Sequence, residues 1–428
     1  MANVTVNSPA PASSEARTYA SALAIVTSLF FMWGFVTVLN DILVPHLKAI
    51  FDLSYAKVML IQFAFFSAYF IFSIPSAKLI DWVGYKKTMV VGLMTMGVGA
   101  LLFFPAATAA SYVLFLCALM VLAAGITALQ VAANPYVAVL GPEKTGSSRL
   151  NLTQAFNSLG TAIAPYLGGM LILTANPKAL AELRQMPAAA LQAYRVQEAS
   201  SVKTPYLIIG LALIVLGIVI GMTKLPAMPQ AERHGGPGPK ASLWRYRHLV
   251  LGTVGIFVYV GGEVSIGSFL INYFTQKNIG NISEVAAAGF VAYYWGGAMV
   301  GRFIGSVILQ KIETRIVLGI AAAAACLLVC TSIMTTGHVA MWSIILVGFF
   351  NSVMFPSIFT LGIAKLGPLT GDGSGLLIMA IVGGAIVPVM QGALADRIGI
   401  QHAFIIPALC YVYILYYAVR GSRPIAVA

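Results

Sequence analysis

Twelve apolar runs govern what this chain can become. They fall at about 20–46, 56–79, 88–107, 111–140, 150–174, 204–223, 248–275, 285–310, 316–336, 340–365, 373–394 and 402–419. Each is close to the roughly 20 residues an α-helix needs to cross the hydrocarbon of a bilayer, and the longer ones must tilt or run past it. A membrane β-barrel would show short segments of alternating hydrophobicity, and the runs do not alternate. In hydrocarbon every backbone amide needs an internal partner, which a helix supplies. The expected fold is an all-α integral membrane protein with 12 transmembrane helices. Composition agrees, with 9% charged residues against roughly 25% in a soluble domain.

A stretch rich in Pro, Gly and charge, 224–247, divides the runs six and six and reads as a cytoplasmic linker. It separates an N-terminal half, 20–223, from a C-terminal half, 248–419, with tails at 1–19 and 420–428. The tail 1–19 has no apolar core, so no cleaved signal peptide is expected. The halves look related: FNSLGTAIAPYLGGML (156–171) lies over MAIVGGAIVPVMQGAL (379–394), matching Gly160 to Gly383 and Pro165 to Pro388. Paired six-helix halves with a site near the bilayer midplane are a common plan of secondary transporters.

The net charge of +12 is topogenic rather than a nucleic-acid signal. With a cytoplasmic N-terminus and alternating loops, most Lys and Arg fall on the cytoplasmic side, among them Arg302, Lys311 and Arg315. That is the positive-inside pattern, and it puts both termini in the cytoplasm of a bacterial inner membrane. Cys117, Cys326, Cys330 and Cys410 all fall inside apolar runs and read as small buried hydrophobes. HExxH, GxSxG, GxxxxGK[ST] and CxxC motifs are absent, so neither an enzyme nor an ATP-driven pump is indicated, and no cofactor or metal is expected.

Of the 13 carboxylates, Asp41 and Glu263 lie well inside apolar runs. A charge at the centre of a membrane helix costs roughly 2.5–3.5 kcal/mol on insertion scales, and such residues mark ion or substrate routes. They sit on the first helix of each half, where two carboxyls on one cavity could take up a cation or protons. Amides follow at helical spacing: Gln154 and Asn157 on run five, continued by Thr161, and Gln130 and Asn134 four apart on run four. Asn272 and Asn351 extend the set. Amides donate and accept at once, which suits sugar hydroxyls, although they also hold membrane helices together. Trp33, Tyr294, Trp295 and Phe355 offer faces on which a sugar ring could stack. In SAKLIDWVGYKK (76–87), Asp81, Gly84, Lys86 and Lys87 fit a tight cytoplasmic turn that acts as a gating loop.

The segments LNDILVPHL, AANPYVAVLGPEKTGSSRLNLTQAFNSLGTAIAP and NSVMFPSIFTLGIAKLGP resemble the fucose:proton symporter family of the major facilitator superfamily. FVYVGGEVSIGSFLINYF is more similar to that family's glucose/galactose branch, and the 76–87 turn is similar to the superfamily's loop motif between helices two and three. The resemblance implies that Asp41 is the helix-one carboxylate tied to cation coupling. It also implies that Gln154 and Asn157 contact sugar. Gln130 stands where the fucose branch has a glutamate, Glu263 where it has a glutamine, and Phe355 where it has a tyrosine.

The resulting expectation is a major facilitator transporter importing a glucose- or galactose-like hexose by cation symport, with protons favoured over sodium. Asp41 and Glu263 would bind the cation. Gln130, Asn134, Gln154, Asn157, Asn272, Asn351, Trp295 and Phe355 would bind sugar. The protein would work as a monomer in the lipid bilayer. A sodium symporter, an uncoupled uniporter of the same fold and a membrane sugar sensor remain open.

Overall fold

The computed structural model describes residues 12–51, 55–172, 185–226 and 242–424, and every regular element among them is helical. Helix α1 is Ala12–Phe51. One stretch, Tyr55–Thr108, breaks at Gly84 (φ 83°, ψ 167°) into α2 (55–83) and α3 (85–108). Then come α4 (Tyr112–Val139), α5 (Gly146–Ile172) and, after a helix at Ala188–Ser200, α6 (Lys203–Met222). The second half holds α7 (Arg247–Phe274), α8 (Glu284–Lys311) and α9 (Thr314–Met334). Helix α10 is made of Gly337–Asn351 and Met354–Ile363, α11 of Thr370–Met379 and Gly383–Ile398, and α12 of Ile400–Ala403 and Ile405–Tyr416. The twelve apolar runs thus become twelve helices in two halves. Most of the expected linker lies outside the described residues.

Nine stretches among the described residues are long and apolar enough to cross a membrane, and one of them, Leu60–Thr108, carries both α2 and α3. Helices α5 and α8 are missing from that set because polar and charged side chains interrupt them. They pack against each other across the interface between the halves, as α2 does against α11. Their polar faces therefore meet at the interface, while α8 keeps apolar residues such as Val300, Ile304 and Val307 exposed on its other side.

Within each half, glycine allows close helix approach. A Cβ on Gly160 of α5 would collide with the backbone oxygen of Phe31 on α1, and one on Gly383 of α11 with that of Phe257 on α7. The two glycines matched in the internal repeat therefore perform the same packing task, which small residues commonly perform between membrane helices.

One end of the bundle carries the α2–α3, α4–α5, α8–α9 and α10–α11 connections together with Lys86, Lys87, Lys144, Lys311, Arg315 and Lys365; we call it the basic end. Here the halves are tied by hydrogen bonds. Ser147 Oγ and Thr360 Oγ1 lie 2.6 Å apart, Ser148 Oγ donates to the Ser306 oxygen at 2.6 Å, and Asn151 Nδ2 donates to the Arg302 oxygen at 2.7 Å. Ser374 Oγ of α11 donates to the Val131 oxygen of α4 at 2.7 Å. The 81–87 turn belongs to the same closure, since Gly371 at the start of α11 lies against Ile80 and Tyr85; within the first half, Lys86 Nζ donates to the Gly221 oxygen of α6 at 2.8 Å.

Gly84 adopts a backbone conformation open essentially to glycine alone, and a residue forced into such a region costs roughly 1–3 kcal/mol. Gly84→Ala should therefore lower the midpoint of thermal unfolding in detergent, and a melt indistinguishable from wild type would refute this account of the turn.

Candidate functional site

Between the halves lies a cavity of about 180 Å³, smaller than the roughly 300–1,000 Å³ typical of pockets for drug-sized ligands. Its size suits a small solute. From the first half it takes Trp33, Gly34 and Thr37 of α1, Tyr69 of α2, Gln130 of α4, and Gln154, Asn157 and Thr161 of α5. From the second it takes Tyr259, Val260 and Glu263 of α7, Arg302 of α8, Phe355 and Pro356 of α10, and Ile381 of α11. The cross-half bonds from Ser147, Ser148 and Asn151 lie on α5 about one to two turns nearer the basic end than Gln154, so they seal the floor.

The internal repeat reaches into the cavity. With Phe31 answering to Phe257 at the matched glycines, Trp33, Gly34 and Thr37 answer to Tyr259, Val260 and Glu263, and all six line the wall. The scaffold is duplicated, but its chemistry is not: the second half has a carboxyl where the first has a threonine.

The polar walls are partly committed to the protein. Gln130 Nε2 donates to the Tyr69 hydroxyl at 2.9 Å, and Asn157 Nδ2 donates to the Phe30 oxygen at 2.9 Å. Both amides keep a carbonyl oxygen that can accept from a bound hydroxyl. Phe355 is buried and stacks on Phe359 with ring centroids 5.9 Å apart. Glu263 is half-buried, with Oε1 shielded and unpartnered. Arg302 and Tyr259 face it, and the Tyr259 hydroxyl donates to the Asn351 oxygen at 3.0 Å.

Gln130, Gln154, Asn157, Glu263 and Phe355 thus come together from the sequence-based set. Asp41 stands on α1 four residues beyond Thr37, with its side chain outside those described. Four expected sugar ligands lie off the cavity. Asn272 is exposed, nine residues and therefore half a turn around α7 from Glu263. Asn351 is fully buried in the second half and donates to the Tyr294 hydroxyl at 2.9 Å. Trp295 packs over Gly267 and edge-on to Tyr294, with ring centroids 5.0 Å apart. Asn134 is fully buried beneath the floor.

Sequence reasoning missed Tyr69, Thr37, Tyr259 and, above all, Arg302, which it counted among the topogenic charges. Arg302 Nη1 donates to Ser158 Oγ and, at 3.5 Å, to the Gln154 oxygen, joining α8 to α5. The signal was depth: Arg302 precedes the helix end at Lys311 by nine residues, about 13 Å at 1.5 Å per residue. A charge that deep faces a partner or a cavity.

Two six-helix halves enclosing a polar, charged cavity define a membrane transporter rather than an enzyme. The model of the Major Facilitator Superfamily matches residues 22–381, and the chain belongs to that superfamily. It is 51% identical over 410 residues to the "Glucose/galactose transporter" of Brucella abortus biovar 1 (strain 9-941), covering 96% of each chain. It is 38% identical over 416 residues to the "L-fucose-proton symporter" of Escherichia coli (strain K12), covering 94% of each. The crystal structure of FucP, a major facilitator superfamily transporter, in the outward conformation superposes with a TM-score of 0.88 at 36% identity, covering 95% of this chain and 100% of that one.

Glu263 and Arg302 are both half-buried and make no direct salt bridge, but they line the same cavity with opposite charges, so removing one leaves the other without its counter-charge. Arg302→Gln and Glu263→Gln should each lower thermal stability in detergent, and the double variant should recover part of the loss. Additive losses would show that the two groups do not interact.

Proposed function

We propose that the protein is a secondary active transporter that imports a glucose- or galactose-like hexose together with a proton by alternating access. The observation that carries this reading is the cavity itself. It is lined from both halves by amides and hydroxyls that can meet sugar hydroxyls, with aromatic faces at Trp33 and Phe355, and it places one acid against one arginine. The names of relatives sharing half or more than a third of their residues with this chain support the same substrate class and proton coupling.

In this reading Gln130, Gln154, Asn157 and Phe355 hold the sugar with Tyr69, and Asp41 and Glu263 carry the coupling proton. A proton taken up at Glu263 removes its attraction for Arg302 and leaves that guanidinium to its contacts on α5. Asp81, Gly84, Lys86 and Lys87 form the gate at the basic end, which faces the cytoplasm of a bacterial inner membrane. The units are the halves 20–223 and 248–419 about the linker 224–247, and a monomer contains the complete route.

Counterflow into proteoliposomes with labelled glucose, galactose, mannose, fucose and an N-acetylated hexosamine tests the substrate class, and the same vesicles with imposed proton or sodium gradients test the coupling ion. We expect exchange of glucose or galactose, and uphill uptake driven by an inward proton gradient. Asp41→Asn should abolish accumulation while sparing exchange. Normal uphill uptake by that variant would remove Asp41 from the coupling role.

A further inference from the structure

Beneath the cavity an amide side chain lies unused in the state shown. Asn134 of α4 is fully buried, and neither amide atom has a hydrogen-bond partner. Buried polar groups are ordinarily satisfied, and each exception calls for an explanation; Gln391 of α11 is the other fully buried amide with both atoms unpartnered, but Asn134 is the one that follows a cavity-lining residue, Gln130, by one turn.

Its surroundings supply one. The α3-facing side of α4 is marked by Gly125 and Leu129, which lie against Gly92. Asn134 follows Gly125 by nine residues, half a turn around the helix, and so lies on the face directed away from α3. That face carries Gln130, which lines the cavity, one turn and about 6 Å farther from the basic end. Between them is Val131, whose oxygen accepts the cross-half bond from Ser374 of α11. Asn134 therefore stands on the seam between the halves, directly on the basic-end side of a bond that closes it. Separation of α4 from α11 at the basic end would break the Ser374–Val131 bond, three residues along α4 from Asn134.

We propose that Asn134 is a second sugar-hydroxyl station that is sealed in the conformation described and becomes part of the cavity when the basic end opens. Gln130 and Asn134 then act in succession: Gln130 meets the hydroxyl groups of the hexose at the centre, and Asn134 meets them on the way to or from the basic side. The orphaned amide is the mark of this division, because its partner is a group that arrives only in the other state. The inference rests on the proposed hexose transport.

The test compares the two directions of transport by the full-length protein in right-side-out and inside-out membrane vesicles, using labelled glucose and galactose. Asn134→Leu keeps an apolar group of similar size, and Asn134→Ser restores a donor and an acceptor. For Asn134→Leu we expect the KM for sugar entering from the basic side to rise about tenfold, which corresponds to about 1.4 kcal/mol. From the opposite side the change should stay within about twofold, and Asn134→Ser should recover most of the loss. Thermal stability of sugar-free Asn134→Leu should equal or exceed wild type, since an apolar group relieves an unsatisfied one. Equal changes from both sides, no change from either, or a destabilised Asn134→Leu whose loss is direction-independent would overturn the station. Wild-type vesicles that move neither hexose would overturn the transport reading itself, a separate outcome.

Discussion

The contact between α5 and α8 is the constraint on which the rest of the molecule depends. Each of these two helices carries a polar face that cannot be given to lipid, while Val300, Ile304 and Val307 of α8 remain exposed on the other side; the polar faces turn toward each other, and that fixes how the halves meet. Arg302 makes the contact specific: a guanidinium roughly 13 Å inside its helix needs both a counter-charge and hydrogen-bond acceptors. It finds the carboxyl of Glu263 in its own half and the oxygens of Ser158 and Gln154 in the other. The cavity is what remains between the halves where small and polar residues keep them apart. The serine, threonine and asparagine bonds nearer the basic end close its floor.

Those bonds are of a kind suited to a seam that opens. Ser147 to Thr360, Ser148 to Ser306 and Ser374 to Val131 are short hydroxyl contacts, each with a net worth of about 1 kcal/mol because water can replace either partner. An apolar seam of the same extent would resist wetting, and a row of buried ion pairs would be costly to separate. Within each half Gly160 against Phe31 and Gly383 against Phe257 bring backbones into direct contact, closer than Gly375 of α11 comes to Ser73 of α2 across the seam. Close packing inside the halves and replaceable bonds between them favour rigid-body rocking over deformation.

The fold was legible in the sequence because bilayer thickness and hydropathy are both one-dimensional quantities. Twelve runs became twelve helices, and the 160/383 match survived as a shared packing contact. The site was legible only in part, because facing is a matter of angle and depth. Gln130, Gln154 and Asn157 stand out by their spacing, whereas Asn272 joins the amide set by chemical type although nine residues put it on the face of α7 opposite Glu263. Asn351 and Trp295 were chosen by chemical type, and their partners, Tyr294 and Gly267, come from elsewhere in the chain. Arg302 was lost to charge counting: a rule that sorts cations by loop does not ask how far inside the helix each one lies.

Duplication explains why the cavity exists, and departure from duplication explains what it can do. Trp33, Gly34 and Thr37 answer position for position to Tyr259, Val260 and Glu263, so the two walls have one geometry. A fully symmetric lining would offer the same groups from either half and would give a proton no preferred seat. Replacing the counterpart of a threonine by Glu263, with Arg302 beside it, puts a titratable charge on one wall alone. Asp41 does not restore the symmetry, since it stands one turn beyond Thr37 and answers to Gly267 rather than to Glu263. On the proposed reading, the repeated scaffold supplies the rocking motion common to the fold, and the unpaired chemistry of α7 and α8 ties that motion to a cation.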